Sequence, residues 1–130
     1  MIFKRNEGFR FSFGEPLEAH YVILIDGKPT SIEKPRVECQ VLDISPRGMK
    51  IITETDFSSI SGQYVQLEFY FMLDLVQIKA IGEIVWSKQF GQKYQYGINF
   101  PNQSSLEDLI ISELKSRRKR EVKGAKLKKV

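Results

Sequence analysis

The sequence contains one cysteine and one histidine, and this scarcity excludes several kinds of chemistry. Cys39 cannot form a disulfide within the chain, and its apolar surroundings are typical of a buried, inert thiol. His20 has no second histidine with which to complete a zinc site or a hydrolytic triad. We therefore expect no bound metal, and we expect His20 to lie on a solvated strand face.

Long apolar segments are also missing. No stretch reaches the roughly 18 apolar residues that a membrane-spanning helix requires. Residues 1–7 contain three charged residues and no apolar core, which is not typical of a signal peptide. The sequence has no Gly-x-x-x-x-Gly-Lys phosphate loop either. These absences predict a cytoplasmic protein that is not an enzyme.

Charge is divided unevenly along the 130 residues, which are enough for one domain with one core. Residues 1–114 contain 11 basic and 15 acidic residues, so their formal net charge is −4. Residues 115–130 contain nine basic residues and one acid, for a net charge of +8. This composition predicts that residues 115–130 form a polar helix end and a solvated tail.

Six segments alternate between apolar and polar residues with the period of a β-strand. They cover residues 17–26, 36–44, 47–54, 63–71, 76–88 and 93–100. Their connections are short and rich in turn residues, which predicts an all-β, antiparallel barrel or sandwich. A change of phase between Val41 and Leu42 predicts a β-bulge. In the fifth segment the alternation places Ile84 and Trp86 on the apolar face.

A helix is predicted after the strands. Ser104 and Glu107 have the spacing of a capping box, in which each side chain bonds the backbone N–H of the other residue. The apolar residues that follow have the spacing of one helical face. They are Leu106, Leu109, Ile110 and Leu114. We expect a helix from about Ser104 to about Arg120 that packs on the strands through these four residues.

A polar turn, Asp-Ile-Ser-Pro-Arg-Gly at residues 43–48, separates the second and third strands. Pro46 cannot donate a hydrogen bond to a neighbouring strand, and Gly48 permits a positive φ or a close backbone approach. Asp43 and Ser45 can bond the local backbone or a ligand. The turn alone is compatible with an ordinary hairpin or with a ligand site.

Over roughly residues 4–115 the chain resembles the PilZ domain family through four features and their order along the sequence. They are Arg10 in an N-terminal arm, Asp43-x-Ser45-x-x-Gly48, Gly82-x-x-Val85-Trp86 and Tyr96-Gly97-x-x-Phe100. The resemblance implies a six-stranded antiparallel β-barrel with a C-terminal α-helix. It also implies a cytoplasmic bacterial receptor for the second messenger cyclic di-GMP.

The resemblance further implies how the ligand is held. In the family, a flexible arm with an Arg-x-x-x-Arg motif clamps the nucleotide over the turn. An arginine such as Arg10 can bond the O6 and N7 atoms of guanine or pair with a phosphate. Asp43 would accept hydrogen bonds from guanine, and Ser45 would reach a phosphate or a base. Gly48 would leave room for the purine.

The arm departs from the family motif at one position. Arg10 matches the second arginine, but Asn6 stands where the first is expected. Either Arg5 replaces it through a flexible arm, or the site is weakened or lost. We therefore expect the ligand residues to be Arg5, Arg10, Asp43, Ser45 and Gly48. Auxiliary contacts are expected from Lys4, Asn6 and Arg47.

The expected organisation has three parts: a flexible N-terminal arm at residues 1–16, a barrel with the start of the helix at 17–114, and a basic helix end and tail at 115–130. In the leading hypothesis, cyclic di-GMP orders the arm and thereby switches an unidentified protein partner. The protein would act as a monomer or a dimer.

Two alternatives remain open. A degenerate PilZ adaptor would bind only protein, with Val22, Leu24 and Val85 as an exposed contact surface. Alternatively, the tail from Arg117 to Lys129 would bind nucleic acid or an anionic membrane. The tail has no aromatic residue for base stacking and few apolar residues for anchoring, so this alternative is less favoured.

Overall fold

The computed structural model of the protein describes residues 10–30, 36–60, 62–101 and 103–128, with the side chains of the helix described as far as residue 122. In this part of the chain there are seven strands, one α-helix and a short 3-10 turn at Phe57–Ile60. The strands are β1 (Phe11–Ile25), β2 (Lys28–Pro29), β3 (Val37–Ser45), β4 (Gly48–Thr53), β5 (Val65–Met72), β6 (Gln77–Phe90) and β7 (Lys93–Asn99). The helix, α1, covers Ser104–Lys128.

The strands form one antiparallel sheet in the order β2-β1-β3-β4-β7-β6-β5. Pairing of β1 with β5 closes this sheet into a barrel. Strand β2 is only two residues long and extends β1 by a short hairpin, so six strands form the barrel wall. The predicted six-stranded antiparallel barrel with one C-terminal helix is confirmed. The predicted bulge is confirmed as well, as a register shift between Val41 and Asp43.

Strand β1 begins at Phe11 and contains an irregularity between Ser12 and Leu17. Before the irregularity, Phe11 pairs with Ile44 and Ser12 with Asp43. The expected boundary of the arm at residue 16 therefore falls within β1. This pairing fixes the last part of the arm beside the 43–48 turn.

The face of α1 that contacts the barrel differs from the predicted face at one position. Leu106, Ile110 and Leu114 are buried as predicted, but Leu109 is 36% exposed and Glu113 is only 6% exposed. The carboxylate of Glu113 accepts hydrogen bonds from the backbone nitrogens of Leu75, at 2.9 Å, and Val76, at 3.1 Å. The prediction for Leu109 was wrong because these two backbone donors in the β5–β6 loop stabilise a buried acid.

Helix α1 continues to Lys128, eight residues beyond the predicted end at Arg120. Two of its basic residues contact the barrel. The guanidinium of Arg117 donates to the carbonyl oxygen of Leu73 at 2.7 Å, and that of Arg120 lies 2.5 Å from a carboxylate oxygen of Asp74. These contacts join the middle of α1 to the β5–β6 loop. None of the described helices is long and apolar enough to cross a membrane.

The predicted contact surface of the adaptor hypothesis is only partly exposed. Val85 is exposed, but Val22 and Leu24 are buried, so the prediction for these two residues was wrong. In this part of β1 the backbone has paired strands on both sides. Neighbouring side chains therefore flank the outer face of β1 as well as its inner face.

Deletion of residues 121–130 is expected to shift the thermal midpoint of unfolding by less than about 2 °C. The contacts of Arg117 and Arg120 with the β5–β6 loop remain in the shortened chain. The deletion removes an exposed ion pair between Arg117 and Glu121, which contributes little. Circular dichroism melting of the two chains measures the difference. A much larger decrease would show that residues beyond 120 stabilise the barrel.

Candidate functional site

The 43–48 turn is a two-residue hairpin between β3 and β4. Ser45 pairs with Gly48 across it, and Pro46 and Arg47 form the loop without a positive φ. The hydroxyl of Ser45 donates to the carbonyl oxygen of Gly48 at 3.2 Å, which braces the turn. In the same register, Asp43 lies directly opposite Lys50, two residue pairs beyond the Ser45–Gly48 pair.

Gly48 lies where β4 approaches β7. A Cβ atom on Gly48 would lie 2.3 Å from the carbonyl oxygen of Ile98, which is far too close for any side chain. The backbone of the turn is therefore pressed against the neighbouring strand, and only glycine fits there. This steric requirement is separate from the expected role of Gly48 in making room for a purine.

Replacing Gly48 with alanine is expected to destabilise the fold by about 1–3 kcal/mol, the usual cost of overpacking a rigid site. The matched control is Gly14→Ala, because a Cβ on Gly14 would meet nothing within 4 Å and its φ is not positive. Urea unfolding of both variants measures the difference in free energy. Equal stabilities would contradict the proposed close approach of the turn to β7.

Asp43 is the centre of a charged cluster. Its side chain forms an ion pair with the guanidinium of Arg10, and its second oxygen lies 3.5 Å from the Nζ atom of Lys50. Asp43 is only 7% exposed, whereas Arg10 is exposed to solvent. The ion pair between this buried carboxylate and Arg10 fixes the end of the arm over the turn.

Trp86 lies beside this cluster because of a bulge. The register of β6 against β7 shifts between Ile84 and Trp86, so the indole projects from the outer face instead of into the core. It packs on Gly97, where a Cβ would lie 2.0 Å from the indole nitrogen. Trp86 is 44% exposed, so the expectation that it shares the apolar face with Ile84 was wrong.

These side chains line one open cleft with a volume of about 530 Å³. Its lining residues are Arg10, Asp43, Ser45, Arg47, Gly48, Met49, Lys50, Val85, Trp86, Gly97, Ile98 and Asn99. Three are basic and one is acidic, so the cleft has an excess of positive charge. It therefore combines cations, a flat aromatic surface and a fixed carboxylate acceptor.

Arg47 connects the turn to the helix. Its guanidinium lies 3.6 Å from the carboxylate of Glu107 in the first turn of α1, and its carbonyl oxygen accepts a hydrogen bond from the backbone of Phe100 at 2.8 Å. Acids are favoured at helix starts, because the first backbone N–H groups are unpaired there. The structure thus joins the cleft directly to the start of α1.

The structure brings together Arg10, Asp43, Ser45, Gly48 and the auxiliary residue Arg47. The other expected residues, Lys4, Arg5 and Asn6, lie outside the described part of the chain. Sequence reasoning did not assign Lys50 or Trp86 to the site. Lys50 could have been found by counting outward from the two-residue loop, because Asp43 and Lys50 are equidistant from it. No sequence signal marks the bulge that turns Trp86 outward.

The other chemically notable side chains lie away from the cleft. Cys39 is buried, and burial raises the pKa of its thiol to about 12, so it is a poor nucleophile. His20 is half-buried and stacks on Tyr70 with 5.3 Å between ring centroids, so the prediction of a solvated histidine was wrong. Within the described residues, no group of three histidine, cysteine or acidic side chains could hold a metal ion.

Comparison with known proteins identifies the family of this chain. The family model of the PilZ domain matches residues 5–115, which is most of the chain. The chain belongs to the PilZ domain family. PilZ domains are non-catalytic and are typically receptors for cyclic di-GMP.

A solved structure supports the PilZ fold. The PilZ domain of YcgR from Escherichia coli, solved with cyclic di-GMP, superposes with a TM-score of 0.63. The match covers 91% of this chain and 95% of that domain, at 12% sequence identity. A search of curated protein sequences returned no match. At this identity the structural similarity establishes the fold alone. The ligand residues are therefore inferred from the cleft of this protein.

Proposed function

We propose that this PilZ protein is a cytoplasmic bacterial receptor for cyclic di-GMP, which it binds in the cleft between the arm and the 43–48 turn. The observation that carries the proposal is the position of Arg10. A basic residue of the arm is held against Asp43 of the turn, and the surrounding cleft contains Lys50 and Trp86. Cations, an aromatic ring and a carboxylate are the groups that a guanine dinucleotide needs.

Each part of the ligand has a complementary group in this cleft. The two phosphates of cyclic di-GMP carry negative charge, which Arg10 and Lys50 would balance. A guanine would stack on the exposed surface of Trp86. The N1–H and N2–H donors of guanine would bond Asp43, and they would replace its ion pair with Arg10. The released guanidinium would then be free to bond a base or a phosphate.

Ordering of the arm is the proposed output. Arg5 and Arg10 would contact the ligand together, and this would fix residues before β1 over the cleft. A protein partner would recognise the ordered arm. The ion pair between Arg47 and Glu107 offers a second route, because a ligand that attracts Arg47 would also act on the start of α1.

A second candidate function is a degenerate PilZ adaptor that binds a protein partner but no nucleotide. The observation in its favour is Asn6, which stands in place of the first arginine of the arm motif. Its contact surface would be on β6, where Val85 and Phe90 are exposed. Val22 and Leu24 are buried and would not contribute.

Calorimetric titration with cyclic di-GMP distinguishes the two functions. A receptor gives a saturable heat, whereas an adaptor gives none. No heat at a ligand concentration near 100 μM would place the free energy of binding above about −5.5 kcal/mol, too weak for the proposed receptor. The titration is performed at one fixed salt concentration, because salt screens the contacts with phosphate.

Replacing Asn6 with arginine is expected to strengthen binding by roughly 5- to 150-fold, because it restores a second arginine fork. If Arg5 already fills this role, Arg5→Ala should weaken wild-type binding by a similar factor, and the gain from Asn6→Arg should be smaller. Calorimetry on the two single variants and the double variant separates these cases. If wild type gives no heat but the Asn6→Arg variant binds cyclic di-GMP, the protein is a degenerate PilZ domain whose scaffold is intact.

A further inference from the structure

The basic residues of α1 whose side chains are described, between Lys115 and Arg120, fall into two sets. Arg117 and Arg120 point towards the barrel, where they bond Leu73 and Asp74. Lys115, Arg118 and Lys119 are exposed and form no ion pair or hydrogen bond within the described residues. The sequence shows one basic cluster, whereas the structure separates residues 115–120 into cations that contact the β5–β6 loop and cations that do not.

The solvent-facing residues Lys115, Arg118, Lys119 and Val122 have the 3- and 4-residue spacing of one helix face, and we call them the outer stripe. This spacing continues in the sequence at Lys123, and the helical backbone continues to residue 128. The stripe lies opposite the face that buries Ile110. A row of cations that have no partner in the described part of the chain therefore lies on the side of α1 away from the barrel.

We propose that the outer stripe is a docking surface for a bilayer that contains anionic lipids. All cations of a straight row can reach a flat anionic surface at the same time, and each one near the surface strengthens binding. Val122 is exposed within the row and can enter the boundary between headgroups and acyl chains. The contact is mainly electrostatic, because the stripe contains one apolar residue.

The charge of the rest of the protein sets the orientation of this contact. Residues 1–114 have a net charge of −4, so an anionic surface repels the barrel and attracts α1. The outer stripe would then face the bilayer, and the barrel would lie behind the helix. The proposal does not depend on nucleotide binding.

The stripe fits a flat surface better than duplex DNA. A helix in the major groove has phosphate backbones on both of its sides, so it needs free cations on both flanks. In α1, Arg117 bonds Leu73 and the exposed Arg120 is neutralised by Asp74, so the cations without a described partner lie on one face. The sequence after Leu114 also contains no aromatic residue for stacking on exposed bases.

Sedimentation of the full chain with lipid vesicles, without nucleotide, tests the proposal. Wild type is expected to sediment with vesicles that contain phosphatidylglycerol and to remain in solution with pure phosphatidylcholine. The triple variant Lys115→Gln, Arg118→Gln and Lys119→Gln should lose binding on the order of 100-fold, at about fivefold for each charge. Glutamine retains the helical propensity of lysine and arginine, and melting curves verify that the variant is folded.

A second triple variant controls for net charge. Lys28→Gln, Lys88→Gln and Lys93→Gln remove the same charge from exposed positions in β2, β6 and β7. This variant should bind like wild type if the stripe is the surface. Equal losses in both variants would overturn the proposal in favour of a nonspecific charge effect. Binding to duplex DNA with no binding to anionic vesicles would also overturn it.

Discussion

Replacing Asp43 with alanine is expected to weaken cyclic di-GMP binding by roughly 5- to 150-fold, or about 1–3 kcal/mol. The variant loses the acceptor for the guanine N–H groups, which are then left unpaired in the complex. It also releases Arg10 and Lys50 from their common partner. Arg10→Ala should have a similar effect, because it removes the cation that the arm contributes to the cleft.

A suitable control removes the same charge elsewhere in the sheet. Glu15 is exposed in β1, so Glu15→Ala tests whether net charge alone changes affinity. It should bind like wild type. In a double-mutant cycle, Arg10 and Asp43 should show a coupling energy, because they contact each other in the free protein. Strictly additive effects, or equal losses in the control, would contradict a shared role in one site.

Replacing Glu113 with alanine is expected to destabilise the protein by about 2–4 kcal/mol, because it removes two hydrogen bonds to a carboxylate. The backbone nitrogens of Leu75 and Val76 would lose their acceptor, and the β5–β6 loop would lose one of its contacts with the middle of α1. Urea unfolding followed by circular dichroism measures the free energy.

Two variants make this experiment specific. Glu113→Gln keeps an acceptor oxygen and should lose about 1 kcal/mol. Asp108 is an exposed acid of the same helix, so Asp108→Ala should change stability by less than about 0.5 kcal/mol. If Glu113→Ala were no more destabilising than Asp108→Ala, the β5–β6 loop would not depend on its bonds to Glu113.

Much of the fold could be predicted because its signals are local. Strict alternation located the six barrel strands, and the phase change after Val41 located the bulge in β3. The spacing of Ser104 and Glu107 placed the helix start near Ser104, where the helix begins, although the backbone N–H of Glu107 bonds the carbonyl oxygen of Gln103 and not Ser104. The face of the helix was harder to predict, because Glu113 is buried through two backbone donors that are distant in sequence. Residue spacing alone predicts that Leu109 lies in the buried face of the helix. Spacing reflects hydrophobicity and carries no information about tertiary hydrogen bonds.

The cleft was predicted less completely than the fold. The turn motif and Arg10 were recognised because their spacing and order are visible in the sequence. Trp86 was missed because one bulge reverses which side chains of β6 face outward, and no local signal marked that bulge. Val22 and Leu24 were wrongly expected to be exposed, because their burial depends on which strands flank β1 and not on their own pattern.

The most direct test of the proposed receptor uses Trp86, the single tryptophan of the chain, which is part of the cleft. Fluorescence titration with cyclic di-GMP should give a saturable change in emission, because a bound guanine would shield the indole from water. Its midpoint should equal the calorimetric one, and Asp43→Ala should move it to higher concentration. A calorimetric heat without any change in Trp86 emission would place the nucleotide elsewhere and contradict the proposed site.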